Sequence, residues 1–449
     1  MNRLEAGFSR LDITPMLGIV MCGYFQVRNA QGVLDPLEVN ALALSCGEEK
    51  LLLISLDTGE VNTWTMDWLR QAVHEATGVP LPAVFISCTH THTGPFTDCA
   101  GEDELIRKYT DWMRMKIMDA AVLALADLKE ARLGIGTGKA ENVAFIRRYV
   151  MKDGSIQTNP GVDNPLIDHP LGEVDERVHV LRFKRENADD IVLVNFGNHP
   201  DVVGGCLISA DWPGFLRRRT EMALPGVKCV FFNGAQGDVN HVNVHPRGGD
   251  LNDMFMDFDD VSRGYGHARH IGNVMTAAVL TVFDKVEYRD VEQIRYLSRT
   301  IRVPSNMPRP EDMPEAKRVN SLHQAGRDDE LPYRGMMLTT VVAEAERMIA
   351  LENGPEEFEM TLYGAAIGDI VLIGIPGEPF TGIGRALKEA PGFAAVLVCC
   401  LTNGWEGYFP MMDAYEEGGY EARSSRYKAG VAERIIEEGL CLLKQLKTL

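Results

Sequence analysis

The sequence has no run of 18 or more apolar residues, which excludes a transmembrane helix on length alone. Positive charge is scarce: 45 Lys and Arg stand against 64 Asp and Glu, a formal net charge of -19. Nucleic acid and anionic membrane surfaces both require clustered positive potential, so neither is an expected partner. The nine cysteines are odd in number and lack a framework of regular spacings, and Cys88, Cys229, Cys399 and Cys400 sit inside apolar runs. Free thiols acting as small hydrophobes are expected, not disulfides. No internal sequence repeat is visible. The start, Met1-Asn2-Arg3-Leu4-Glu5-Ala6-Gly7-Phe8, leaves no room for a charged region, an apolar stretch and a cleavage site, so the expected location is cytoplasmic.

What is present is an ordinary globular balance of 45% hydrophobic and 24% charged residues over 449 positions. The most informative stretch is Thr89-His90-Thr91-His92-Thr93-Gly94-Pro95, which follows the apolar run Ala83-Val84-Phe85-Ile86-Ser87. Two imidazoles thus stand at the exit of a buried strand, on the same side of extended chain, with Gly94-Pro95 turning the chain just beyond. Spacing alone leaves a metal pair and two hydrogen-bonded polar side chains both open. Two further strand ends repeat the theme. Ile191-Val192-Leu193-Val194-Asn195-Phe196 runs into Gly197-Asn198-His199-Pro200, and Ile370-Val371-Leu372-Ile373-Gly374-Ile375 runs into Pro376-Gly377-Glu378-Pro379. An acid between two prolines directly after an apolar strand is not a usual surface glutamate.

These residues resemble the neutral and alkaline non-lysosomal ceramidases. The resemblance rests on Asp12-Ile13-Thr14-Pro15, Gly23-Tyr24, the Thr-His-Thr-His segment, Asn198-His199-Pro200, Gly237-Asp238, Gly377-Glu378-Pro379 and Asn403-Gly404-Trp405-Glu406-Gly407-Tyr408, in that order along nearly the whole chain. It implies one zinc per chain, held by His90, His199, Glu378 and Tyr408. Two imidazoles, a carboxylate and a phenolate suit Zn²⁺, and the lack of thiolate ligands argues against a closed structural site. His92 then orients water or substrate, or holds the loop from behind. The resemblance also places Arg148 and Tyr420 near the reacting group, with Arg147 as a second substrate-facing cation.

The main departure lies at Gly237-Asp238-Val239-Asn240-His241. Ceramidases carry an active-site serine where Asn240 aligns. An amide donates to an oxyanion but forms no acyl-enzyme, so the resemblance supports only direct attack by activated water. A slip of one residue makes His241 the replacement, as a proton shuttle or substrate contact.

Strands are predicted near 39–56, 82–88, 131–138, 177–198, 227–232, 360–376 and 395–402. Helices are predicted over Glu104 to Leu128, Trp212 to Leu224, Gly264 to Phe283, Gly335 to Glu352 and Tyr427 to Lys447. The fold class is α/β, with mixed sheets flanked by helices as in the ceramidase catalytic domain. Ligands scattered from 90 to 408 require one catalytic domain over 1–449, without the C-terminal Ig-like domain of secreted ceramidases. The stretch Val303 to Leu331 is rich in Pro, Met and charge and reads as a surface excursion. The acidic loop from Asp250 to Asp260, within 241–262, lacks calcium-loop spacing and reads as a solvated lid.

Three functions fit these residues. The favoured one is a zinc hydrolase cleaving an amide in a small polar or carbohydrate-like molecule. The others are a zinc esterase or lactonase, and a non-catalytic binding protein that keeps the fold. Partners reduce to a small-molecule substrate, with a homo-oligomer left open.

Overall fold

The computed structural model describes residues 3–449. Its organisation is a threefold structural repetition that the sequence does not display. The first unit comprises β1 (Leu4–Asp12), β2 (Glu38–Cys46), β3 (Glu49–Leu56), α1 (Thr63–Thr77), β4 (Val84–Cys88) and α2 (Glu104–Ala126). The second comprises β5 (Lys129–Lys139), β6 (Arg177–Arg185), β7 (Asp190–Phe196), α3 (Asp211–Ala223), β8 (Val227–Asn233) and α4 (Tyr265–Val282). A short edge strand, β9 (Glu287–Arg289), pairs with β5 and leads to the third unit. That unit comprises β10 (Ile294–Pro304), α5 (Met313–Gln324), α6 (Gly335–Leu351), β11 (Glu357–Ile367), β12 (Ile370–Gly374), α7 (Thr381–Lys388), β13 (Ala395–Cys399) and α8 (Val431–Thr448).

In each unit three strands form an antiparallel meander, and a helix then crosses to a fourth strand lying parallel to the third. The last helix of each unit packs back over its first two strands. The first two units join through antiparallel β1 and β5 into a nine-stranded sheet ordered β8-β7-β6-β5-β1-β2-β3-β4, with β9 beside β5. The third forms a separate four-stranded sheet ordered β10-β11-β12-β13. One apolar core holds residues of both sheets together, among them Leu42, Ile54, Phe85, Ala365, Leu372 and Leu397. The parallel strands are buried on both faces and therefore read as continuous apolar runs. This is the mixed α/β architecture expected from the sequence.

Buried amides clamp the ends of the three fourth strands. Asn195 Nδ2 donates to Phe232 O and Val398 O, both at 2.9 Å. Asn403 Oδ1 accepts from Ile86 N at 2.8 Å, and the Ser87 and Thr402 hydroxyls lie 2.7 Å apart. These buried polar groups join strands of different units, which fixes the strand ends relative to one another.

Three sequence expectations change. The stretch Val303 to Leu331 is not a bare surface excursion: α5 lies within it, and Met313, Ala316, Val319 and Leu331 pack with Val341, Val342, Ala345 and Met348 of α6 in a small core of their own. Pro314 sits at the start of α5, where a missing N–H costs nothing, so the proline that reads as a breaker is a helix start. The helix assigned to Tyr427 to Lys447 begins at Val431, after Gly430 adopts a left-handed φ of 102°. The acidic loop is not wholly solvated, because Asp259 and Asp257 both pair with the buried Arg263. All nine cysteines are free. No helix of the described residues is long and apolar enough to cross a membrane.

Candidate metal centre

The crossover strands of the three units end around one point, and each unit delivers side chains to it. His90 and His92 follow β4, His199 follows β7, and Glu378 follows β12. Tyr408 arrives after β13 and pairs with Glu378 in a two-residue parallel bridge, Glu378 with Tyr408 and Pro379 with Phe409. The carboxylate end of a parallel pair is where open α/β sheets hold ligands, and here three such pairs converge. The turns are tight. Gly377 has φ 154°, and a Cβ on it would lie 2.5 Å from Gly407 O. Gly23, at φ 97°, would put a Cβ 2.7 Å from His92 Cγ, so its backbone packs directly against that residue, and Tyr24 meets the His92 ring edge-on. His90 itself has φ 77°, a strained value for a residue with a side chain, held by its N–H to Thr58 O at 2.9 Å.

Hydrogen bonds define which nitrogen of each ring faces the centre. His90 Nδ1 lies 2.8 Å from Gly59 O, and His199 Nδ1 lies 2.9 Å from Gln236 O and 3.0 Å from Val239 O. Carbonyls only accept, so both Nδ1 atoms carry the proton and both Nε2 atoms present lone pairs. Those two Nε2 atoms each lie 3.2 Å from Glu378 Oε2. Two nitrogen lone pairs and a carboxylate oxygen at that distance repel unless a cation stands among them, and Tyr408 Oη at 3.5 Å from His199 Nε2 adds a fourth donor atom. The residues therefore fit a zinc-class divalent ion. His90, His92 and His199 also form a buried group whose ligand atoms lie within 4.8 Å of one another, which can hold a metal ion.

Without an ion, protons do its work. Burial alone would lower His90, but the Glu378 charge outweighs it and pushes His90 up. Glu378 is held well below the usual carboxylate range by His90 and His199 despite its burial. His199 is pushed down to about 4 by burial and the nearby Arg147 cation. Burial raises the Tyr408 phenol and the Glu378 charge adds to it, while the Arg147 guanidinium, 5.4 Å from the Tyr408 ring centroid, opposes both. A cation in the centre acts in the same direction as Arg147, towards the phenolate.

The remaining predicted residues divide. His92 Nε2 lies 3.4 Å from His90 Nε2, and its Nδ1 lies 3.4 Å from Asp201, itself bound by both Arg263 nitrogens at 2.9 Å. Tyr420 stacks edge-on to Tyr408 with centroids 5.5 Å apart. Arg147 lies under both tyrosines and is tied to Glu421 at 2.6 Å and to Gly237 O at 2.8 Å. Arg148 instead turns to Glu417 and Gly418 O. The Asn240 amide donates to Asn159 Oδ1 at 2.9 Å and accepts from Val242 N at 3.0 Å. His241 turns the other way, binding Ser262 O at 2.8 Å and lining a separate cavity.

Sequence reasoning gave no role to four residues that the structure places here. Gln236 Nε2 donates to Glu378 Oε2 and Trp405 Nε1 to Glu378 Oε1, both at 3.2 Å. Asp201 stands behind His92. Burial pushes the Glu60 carboxyl up to about 7 against the pull of His90. Asp201 directly follows Pro200 and so lay one step beyond a turn the sequence marked, whereas Glu60 follows Gly59, a position to which no signal was attached. Beside the centre, a cavity of about 450 Å³ runs from Trp405, Tyr408 and Tyr420 to Phe25, Leu351 and Phe358.

Among the solved structures similar to this chain are two ceramidases. One is the neutral ceramidase from Pseudomonas aeruginosa, with a TM-score of 0.72, 17% identity and coverage of 99% of this chain and 75% of that one. The other is a ceramidase complexed with C2, with a TM-score of 0.73, 17% identity and coverage of 99% and 76%. No protein-family model and no curated protein matches the sequence. The likeness shows that this chain has the ceramidase fold.

Proposed function

We propose that this protein is a zinc-dependent hydrolase that cleaves an amide bond in a small acylated molecule, acting in the cytoplasm. The observation that carries the reading is the meeting of the His90 and His199 lone pairs with Glu378 Oε2 at 3.2 Å, in a fold shared with neutral ceramidases. His90, His199, Glu378 and Tyr408 would hold the ion. When bound, it supplies Lewis acidity, activating water near neutral pH and polarising a carbonyl.

The chain's own residues do the rest. Glu378 is kept ionised by His90 and His199 and aimed by N–H donors from Gln236 and Trp405. His92 Nε2 lies 3.4 Å from His90 Nε2, and burial holds its ring well below the ordinary value against the pull of Asp201, so it stands neutral and is the group to accept a proton from water and return it to the leaving nitrogen. Tyr420 lines the apolar cavity, and in this reading its hydroxyl donates to the carbonyl oxygen. The acyl side of the substrate lies against Phe25, Leu351 and Phe358, whose apolar surfaces gain from excluding water. Asn240 offers no hydroxyl, so no acyl-enzyme forms there.

The test is hydrolysis of matched N-acyl amides, O-acyl esters and lactones, with and without chelation and Zn²⁺ restoration. Zinc-restored turnover of the amides is expected. Preference for esters or lactones would replace the amide reading, and zinc binding without turnover of any class would support the binding-protein reading.

A further inference from the structure

Four of the eleven histidines line one cavity of about 560 Å³ that contains none of the residues of the centre described above. It is formed where the loop after β8 passes over the start of α4, and its walls include His241, His245, His267, His270 and Asp250. His267 and His270 stand three residues apart on α4 and so share a face of the helix. Their ring centroids are 5.9 Å apart, and His267 lies a further 5.9 Å from His241. At the first centre the corresponding spacings are 4.8 to 5.6 Å.

His241 is the telling residue. It is 1% exposed, and its Nε2 is committed as donor to Ser262 O at 2.8 Å. Its Nδ1 therefore bears a lone pair, and that atom is buried without a partner. A buried acceptor left without a donor is costly, so such an atom at a cavity wall points to a ligand. The neighbouring groups are right for a cation: His267 is pushed down to about 4 by burial and by the imidazoles of His241 and His270, and so is neutral at pH 7. Asp250, whose carboxylate is oriented by the Arg247 N–H at 2.8 Å, contributes an oxygen donor and a negative charge.

We propose that this cavity is a second metal site, taking a divalent transition-metal ion through His241 Nδ1, His267, His270 and Asp250. Three imidazoles and a carboxylate are borderline donors that favour zinc, nickel or copper over magnesium or calcium. This group is wider than the first, and His270 is exposed, so its ring has room to turn towards a bound ion. Loading ties the loop of 241–262 to α4, the helix that packs on α3.

The test is Zn²⁺ titration of the full chain against a chromophoric chelator, followed by elemental analysis after desalting. The wild type is expected to hold two ions, and His267→Ala and His270→Ala one each. Their affinity for the second ion should fall by more than the about 10–100-fold typical of residues that merely support a ligand. His270 is exposed, so His270→Ala keeps the test meaningful if a buried variant misfolds. Replacement of His169, an exposed histidine beside Asp168, serves as the control and should hold two. His199→Ala should keep the second ion, which separates this site from the first. A second ion bound with wild-type affinity by both His267→Ala and His270→Ala, or a wild type holding one ion that His199→Ala loses, would overturn the proposal.

Discussion

The two histidine groups of this protein are built from the same side chain on different supports. At the centre, His90 and His199 each leave a β-strand and at once bind a backbone carbonyl through Nδ1, so neither ring is free to turn. In the second cavity, one ring sits on a loop and two on a helix face, and only His241 has a carbonyl partner. Strand ends fixed by inter-unit amides give a pre-organised group with ring spacings of 4.8 to 5.6 Å and four donor atoms already converging. A helix face and a loop give a wider group that must close on its ligand. Pre-organisation favours chemistry, where small displacements are costly, and looseness suits binding.

That contrast is broken most easily at the centre. His199→Ala or Glu378→Ala should abolish zinc-dependent turnover and release the first ion, seen as loss of chelator-sensitive activity and of one bound zinc. Retained activity in either variant would erase the difference between the groups. His92→Ala should keep the ion and lower kcat by about 10²–10⁴, the usual range for a proton-transfer residue, with steady-state kinetics as the check. A released ion would instead make His92 a ligand. Trp405→Phe removes only the N–H donated to Glu378 Oε1, and a competition titration should show zinc affinity weakened about 10–100-fold.

The smallest effect on turnover is expected at His179, a buried histidine belonging to neither group. Burial, with Lys388 nearby, pushes it down to about 3 from an ordinary value near 6.5. Between those values the unfolded chain binds a proton that the folded chain refuses, so stability is lost as pH falls from about 6.5 towards 3. His179→Gln should flatten that limb in urea unfolding at pH 7 and pH 4.5, leaving kcat unchanged. An unchanged acid limb would mean that other groups set the acid sensitivity.

The same contrast explains what the sequence revealed. His90, His199 and Glu378 were legible because each follows a long apolar run and is bracketed by glycine or proline, a local signature of a strand end. The second cavity was not legible, since His267 and His270 lie 26 and 29 residues after His241 and meet it only when the loop folds over α4. Strands with double-sided burial were legible as apolar runs, whereas β1 and β10 carry polar residues on an open face and were passed over. The α1 helix was missed as well, although Asn62 caps it through Thr65 N, because it lies between two marked strands and holds no chemistry. The threefold repetition left no trace in residue identity because the units share strand order and crossover and not side chains.

The central claim is that the crossover ends of three repeated units hold one catalytic ion. Anomalous diffraction at the zinc edge, from crystals of the zinc-loaded protein, tests it most directly. The account predicts a peak about 2.0–2.2 Å from His90 Nε2, His199 Nε2, Glu378 Oε2 and Tyr408 Oη. A loaded crystal with no density among those four atoms, or with zinc only in the His241 cavity, would contradict it.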